Sequence, residues 1–342
     1  MQPKCALFLC GEEKLLNGLL PGGLWRKRAK GDTLALTFNE NTLRYVCASR
    51  TDARGATLTS WGNEVRGNQS REAFMKRAKA LLPKAERVIA VLDARDYQIL
   101  QLESPAVPPA EMRSAVRWGA SEFVDGSPDD YTLDVLTLDP ELSSRKAKII
   151  AVLARNDLVR ARMLDCQALG QPLSVIEIAE TAQRNLLHAV LLRESAAANV
   201  AAALLVDGGR ALMIIAVNGQ LYFFRRFDFD ADLLAAVDEI SSELISNNAA
   251  AEAVLRSMTQ LQRGLDLWDD TYPRLPLGTF RIDAGIKTNA IVERLRPETG
   301  VDTQPLALSA LFKMPASRAP APWTDPAYLP LLGALLRPAE GQ

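Results

Sequence analysis

Asp207-Gly208-Gly209 lies between two apolar runs, residues 200–206 and 211–217. Two residues without a Cβ after an acid let backbone N–H groups close on an anion. The same glycine pair also makes a tight hairpin turn that holds no ligand, and both readings stand at this level. His188, the only histidine, sits mid-helix beside Leu186 and Leu187 without a sequence-adjacent catalytic partner. Packing or surface placement is expected of it rather than catalysis. Two acid pairs, Asp129-Asp130 and Asp269-Asp270, have the composition for acid and base work. Each borders a proline or an aromatic residue in a loop-like stretch, which predicts solvated turn residues. Cys5, Cys10, Cys47 and Cys166 are too few and too scattered for a disulfide framework. They form no Cys-x-x-Cys pair for zinc and fit a reducing compartment.

The elements that must position these residues follow from hydrophobic period and from turn residues. Strands are predicted over 33–38, 42–48 and 56–61, joined by a polar turn at Asn39-Glu40-Asn41 and a loop containing Asp52 and Gly55. This is a three-stranded meander. A helix with Phe74, Ala78 and Leu81 on one stripe leads to a buried strand over 87–92. The second half repeats the grammar with strands over 200–206, 211–217 and 220–227. Its Asn218-Gly219 turn suits the positive φ of a type I′ hairpin. Asp230 then caps a helix with Leu233, Val237, Ile240 and Leu244 on one face, and a further helix carries Val254, Met258, Leu261 and Leu265.

Between the halves the pattern gives a strand over 97–102, a helix from Pro109 to about Phe123, strands over 131–138 and 146–153, a helix over 156–169 and a strand over 174–178. The stripe of the first of these helices is Met112, Val116, Gly119 and Phe123. This block reads as an inserted α/β subdomain, and a linking helix over 179–193 leads out of it. Residues 313–323, with three prolines, read as a loop before a last helix over 325–336.

A chain of 342 residues with 48% apolar content suits two domains. Its 40 basic and 41 acidic residues nearly cancel, so no global field draws it to nucleic acid. No stretch approaches the ~20 apolar residues of a membrane span. The broken apolar run over 15–24 precedes the basic cluster Arg26-Lys27-Arg28-Lys30, the reverse of a secretory signal. Leu15, Leu16, Leu19, Leu20 and Trp25 with those cations have the composition of a membrane-surface segment. Pro21-Gly22-Gly23 would break such a helix before the cations, which favours a plain extension over residues 1–24.

The stretch Glu103-Ser104-Pro105-Ala106-Val107-Pro108, then Glu111, Ala115 and Arg117-Trp118, followed by Asp134-Val135-Leu136, resembles the PilM/MshI family of type IV pilus (MSHA-type) biogenesis proteins. Ile176-Glu177-Ile178 leading into Ala182-x-x-Asn185-Leu186, and the closing Leu332-Gly333-Ala334-x-Leu336-Arg337, agree with it. The likeness runs from about Trp25 to the C-terminus, specific in the middle block and weak in the first meander. It implies an actin-like, ribonuclease H-like duplicated α/β fold of two domains, residues 25–192 and 193–342. The subdomain at about 97–178 is then an insertion in the first. It also implies a cytoplasmic protein peripheral to the inner membrane that binds the cytoplasmic tail of a PilN- or MshJ-like inner-membrane protein, with an assembly ATPase as a further partner. The related cytoplasmic domain of GspL implies the same role in type II secretion.

Members of this fold that bind ATP hold its phosphates at the turns of the two meanders, with an aspartate orienting Mg²⁺. The resemblance therefore places a nucleotide cleft at Asp207, Gly208, Gly209 and Gly285. Here the first turn, Asn39-Glu40-Asn41, lacks glycine, serine and threonine, and the adenosine turn Asp283-Ala284-Gly285-Ile286 keeps one glycine. ATP with Mg²⁺ is the one cofactor considered, and with two of three motifs eroded a binding role is expected rather than ATPase activity. Glu177 falls where active members carry a polar residue near the attacking water, or is a plain strand-end acid. Trp118 lies off the Val116 stripe, so it faces another subdomain or a groove where it could anchor a partner peptide, with core packing the expected role. Arg117 and Trp118 are the expected partner-facing residues. Three readings follow: a pilus adaptor, a nucleotide-dependent switch of the same fold, and a GspL-like adaptor.

Overall fold

The structure is a computed structural model that describes residues 31–139, 142, 147–194, 199–236, 248–318 and 320–337. The extension over 1–24, Cys5, Cys10, Val237, Ile240 and Leu244 lie outside the described residues.

Two sheets share one order. In the first, β1 (Thr33–Phe38), β2 (Thr42–Asp52) and β3 (Gly55–Val65) form an antiparallel meander, β4 (Arg87–Val91) runs parallel to β1, and β8 (Leu173–Glu177) runs parallel to β4. In the second, β9 (Val200–Asp207), β10 (Arg210–Val217) and β11 (Gln220–Asp228) form the meander, followed by parallel β12 (Thr279–Asp283) and β13 (Asp302–Pro305). A third sheet of order β5-β7-β6 holds β5 (Gln98–Glu103), β6 (Tyr131–Thr137) and β7 (Lys148–Arg155), with helix α2 (Met112–Gly119) packed on it. It stands between β4 and β8 in the chain, where the inserted block is expected. The two-residue β14 (Phe312–Lys313) pairs with Ala56 and Thr57, so the second half adds an edge to the first sheet. Its Lys313 is the first residue of the stretch 313–323 expected to be a loop.

Alternation decides which face each strand buries. Leu34, Leu36 and Phe38 pack with Phe74 and Ala78 of α1 (Arg71–Leu81) and with Cys166 of α3 (Asn156–Ala168), whereas Ala35 joins the core shared with the second sheet. Ser70 caps α1 by accepting from Ala73 N at 3.2 Å. Leu81 departs from the expected stripe and is exposed, because α1 ends there and the chain turns extended at Leu82. Asn218 (φ 50°) and Gly219 (φ 76°) both take positive φ, as a type I′ turn requires.

The helix expected from Pro109 to Phe123 is shorter. Residues 109–111 form a turn, α2 spans Met112–Gly119, and Ser121–Phe123 is a separate 3-10 turn. Its buried positions are Val116 and Ala120, a spacing of four, and Gly119 and Phe123 face solvent. Three elements escape the sequence pattern altogether: β12, α7 (Thr288–Thr299) and β13. Asp230 does cap α5 (Ala231–Ala236), accepting from Leu233 N at 2.9 Å, and α6 runs over Asn248–Thr271. Asp269 and Asp270 therefore sit on the last turns of α6, solvent-exposed but helical and not in a loop.

Two helices tie the halves together. α4 (Ala179–Glu194) joins β8 to β9, and α8 (Leu329–Leu335) crosses it at Gly333. A Cβ on Gly333 would fall 2.1 Å from the Ala182 carbonyl oxygen, and Asn185 Nδ2 donates to Gly333 O at 3.1 Å. Only a glycine permits this crossing.

Candidate functional site

The cleft beside these helices holds about 880 Å³ and is walled by the ends of β9, β10 and β11, by α6, by Ala94 and Arg95 after β4, and by Pro326, Leu329 and Pro330. Asp207 and Gly209 line it, and Gly208 and Gly285 do not. The turn at Gly208 (φ 55°) and Gly209 (φ 80°) is type I′-like, and a Cβ at either glycine would meet nothing within 4 Å. This turn is thus open to close approach. Burial pushes the Asp207 carboxyl up from its ordinary value, Asp325 adds to the effect, and Arg44 opposes it.

The first turn is filled by its own side chain. Asn39 Oδ1 accepts from Asn41 N at 2.9 Å, Thr42 N at 2.8 Å and Thr42 Oγ1 at 3.0 Å. Those N–H groups are the donors an anion nest would use. Glu40 and Asn41 are exposed, and none of the three turn residues lines the cleft.

Gly285 (φ 60°) donates its N–H to Asp283 Oδ1 at 3.1 Å, and Ala284 N donates to Thr288 Oγ1 at 2.9 Å. A Cβ on Gly285 would lie 3.4 Å from Pro326 Cγ, so Pro326 stands between this turn and the cleft. Burial raises the Asp283 carboxyl to about 6, with the Gly285 N–H opposing. Of the four expected cleft residues, the fold brings Asp207 and Gly209 together and sets Gly285 behind Pro326.

Glu177, at the end of β8, is wholly buried and accepts from Arg337 Nη1 at 2.8 Å, from Ile178 N at 3.3 Å and from Thr181 Oγ1. Its lone pairs hold the two connecting helices together, the strand-end role. His188 packs its ring over Gly219, where a Cβ would fall 2.6 Å from Nδ1. Burial and nearby Arg184 hold its imidazole below the usual value, which leaves a neutral packing residue.

Sequence reading missed a second buried acid. Glu180, fully buried at the start of α4, lies 2.6 Å from Arg226 Nη2 through Oε1 and accepts from Tyr97 Oη at 2.5 Å through Oε2. Burial raises its carboxyl, and Arg226 opposes. Arg226 also stacks 5.1 Å from the Tyr97 ring centre. Beside it, Gln183 Nε2 donates to Ala203 O at 2.9 Å and Leu212 O at 3.0 Å, while the residue lines the cleft. The available signal was Arg225-Arg226 interrupting an apolar strand.

On the inserted sheet, Arg117 Nη1 donates to Pro128 O at 2.8 Å and Tyr131 O at 2.7 Å, fastening α2 to the start of β6. Trp118, one residue on, is 76% exposed, so the expected core packing does not hold. Asp129 and Asp130 occupy a 3-10 turn capped by Ser127 Oγ, as solvated turn residues do. Among the described residues, no group of three or more His, Cys, Asp or Glu side chains can hold a metal ion, and no helix is long and apolar enough to cross a membrane.

No protein-family model matches the sequence, and no curated protein matches it. Among solved structures the chain is similar to that of a PilM-PilN type IV pilus biogenesis complex, with a TM-score of 0.64 and 17% identity over 90% of this chain and 99% of that one. The cytoplasmic domain of EpsL, an inner membrane component of the type II secretion system of Vibrio cholerae, gives 0.42 at 15% identity over 61% and 76%. A Bacteroides thetaiotaomicron protein with an actin-like ATPase fold gives 0.43 at 8% identity over 92% and 99%. The duplicated sheets, the connecting helices and the likeness to the chain of the PilM-PilN complex together give the chain the actin-like ATPase fold.

Proposed function

We propose that the chain is a cytoplasmic adaptor of a type IV, MSHA-like pilus assembly machine, peripheral to the inner membrane, that binds the cytoplasmic tail of a PilN- or MshJ-like inner-membrane protein. The observation that carries this reading is the likeness in fold to the chain of the PilM-PilN complex over nearly its whole length. The cleft chemistry favours binding over turnover. Asn39 occupies the donors of the first turn, Glu177 is held by Arg337, and Gly285 sits behind Pro326. Trp118 offers an exposed anchor on the inserted sheet.

The open turn at Gly208 and Gly209 beside Asp207 favours a second reading, a weak nucleotide site with ATP and Mg²⁺ that switches the body. Two titrations of the full chain separate the two: one with the tail peptide of an inner-membrane PilN-type protein, one with ATP and Mg²⁺. A ligand that binds only the folded state must raise the melting temperature. Tail binding without an ATP-induced shift is the expected pattern. An ATP-induced shift with no tail binding would sink the adaptor reading.

A further inference from the structure

We propose that the end of α2 and the turns that follow it dock a partner segment that is both cationic and apolar. The proposal rests on the reading above that this face meets the partner, and it adds what the partner must carry. Trp118 is 76% exposed and Phe123 50% exposed, five residues apart on a subdomain whose own core is already closed by Val116, Ala120, Tyr131 and Leu133. Neither aromatic ring is used to hold the sheet together. Large aromatics left in water in this way are the usual anchors of interfaces.

Charge selects the occupant. Glu122, Asp125, Asp129 and Asp130 are all exposed along the same run of chain. The run folds back on itself: Arg117 reaches Pro128 O, Ser121 Oγ donates to Trp118 O at 2.7 Å, and Tyr131 Oη donates to Asp125 O at 3.1 Å. The neighbouring cations are engaged elsewhere. Arg113 pairs with Asp134 at 3.0 Å, Arg155 with Asp157 at 3.0 Å, and Arg117 with two carbonyls. Among the described residues, no ion pair joins a cation to any of the four acids. An acidic segment would be repelled, and a neutral apolar one would desolvate carboxylates without compensating them. A segment with lysines or arginines flanking leucine or aromatic side chains meets both demands, its apolar groups on Trp118 and Phe123 and its cations on the acidic rim.

Two probes test this against the full chain: a labelled ten-residue peptide of leucine, lysine and arginine, and the same peptide with every cation replaced by glutamate. The cationic peptide is expected to bind, about tenfold or more weaker to Trp118→Ala and to Asp129→Lys/Asp130→Lys, as truncating an interface anchor or reversing its rim charge should give. Its affinity should also fall as salt rises from about 0.05 M to 0.5 M. All three positions are exposed, so unchanged melting temperatures verify the fold of the variants. Equal binding of the glutamate peptide, or variants that bind like the wild type, would overturn the proposal. A PilN-type tail that binds wild type and variants alike removes this inference and leaves the adaptor reading standing. Absence of tail binding, with cationic-peptide binding intact at this face, does the reverse.

Discussion

Glu177 and Arg337 lie 160 residues apart in the chain and 2.8 Å apart in the fold, both almost entirely out of water. The pair joins the end of the last strand of the first sheet to the segment that ends α8. Glu177→Gln removes the carboxylate facing a buried guanidinium, which typically costs about 3–5 kcal/mol. Arg337→Met should cost a similar amount. The double variant Glu177→Gln/Arg337→Met should lose less than the sum of the two single losses, because it leaves no buried charge without its partner. Urea denaturation midpoints of the four proteins decide this. Additive losses would mean that the two groups are not coupled.

Gly333 gives a steric counterpart at the same junction. Alanine there would drive a Cβ to 2.1 Å from the Ala182 carbonyl oxygen, a backbone atom that cannot rotate away. Gly333→Ala should lose about 1–3 kcal/mol, the usual range for overpacking. Gly209→Ala meets open space and is penalised only by its positive φ, by about 1–2 kcal/mol. The same denaturation series ranks them, and a Gly333→Ala protein as stable as wild type would show that α4 and α8 can slide apart.

The sheets were legible where apolar side chains alternate or a turn residue fixes the hairpin. The alternation of Leu34, Leu36 and Phe38 and the Asn218-Gly219 turn carry local signals that fix strand and hairpin. β12 was not legible because two of its five residues, Arg281 and Asp283, are charged yet buried. Arg281 lies 2.6 Å from Glu194, 87 residues away, and also donates to Gln304. That compensation comes from distant segments and leaves no periodic trace. The cleft was half legible for a related reason. Composition flagged the open turn at Gly208 and Gly209, and the filling of the first turn by Asn39 is local, reaching only two and three residues on, but the screening of Gly285 by Pro326 and the Glu180–Arg226–Tyr97 cluster are products of tertiary placement. For α2, a stripe drawn at spacings of four, three and four ran through Gly119, whereas Ala120 is the inward residue.

Asp283 makes a pH prediction with a definite sign. Its carboxyl is raised from 3.8 to about 6, so between those values the folded chain keeps a proton that the unfolded chain has lost. The unfolded state binds fewer protons there, and stability contributed by this group falls as pH rises from about 4 to 6 and stays low above that. The difference amounts to about 3 kcal/mol. Asp283→Asn keeps an acceptor for the Gly285 N–H and removes the charge, so it should be the more stable protein at pH 7.5 by up to about 3 kcal/mol. The advantage should shrink toward zero near pH 4. Denaturation of both proteins at the two pH values checks it, and a gain that does not change with pH would assign the effect to packing instead.

Arg117 and Trp118 are adjacent in sequence and opposite in role, and a paired substitution separates the two roles. Arg117 donates two hydrogen bonds to the carbonyls of Pro128 and Tyr131, so Arg117→Ala leaves part-buried acceptors without their donor. A loss of about 1–3 kcal/mol follows from such unmet groups. Trp118 has three quarters of its surface in water, and Trp118→Ala should change stability by no more than about 0.5 kcal/mol. Urea denaturation of the two variants beside wild type reads both numbers. If Trp118→Ala destabilises as much as Arg117→Ala, the indole is packing against the body of the protein and the exposed aromatic face is lost as a docking surface. If it leaves the fold untouched, any loss of tail or peptide binding in that variant belongs to the interface alone.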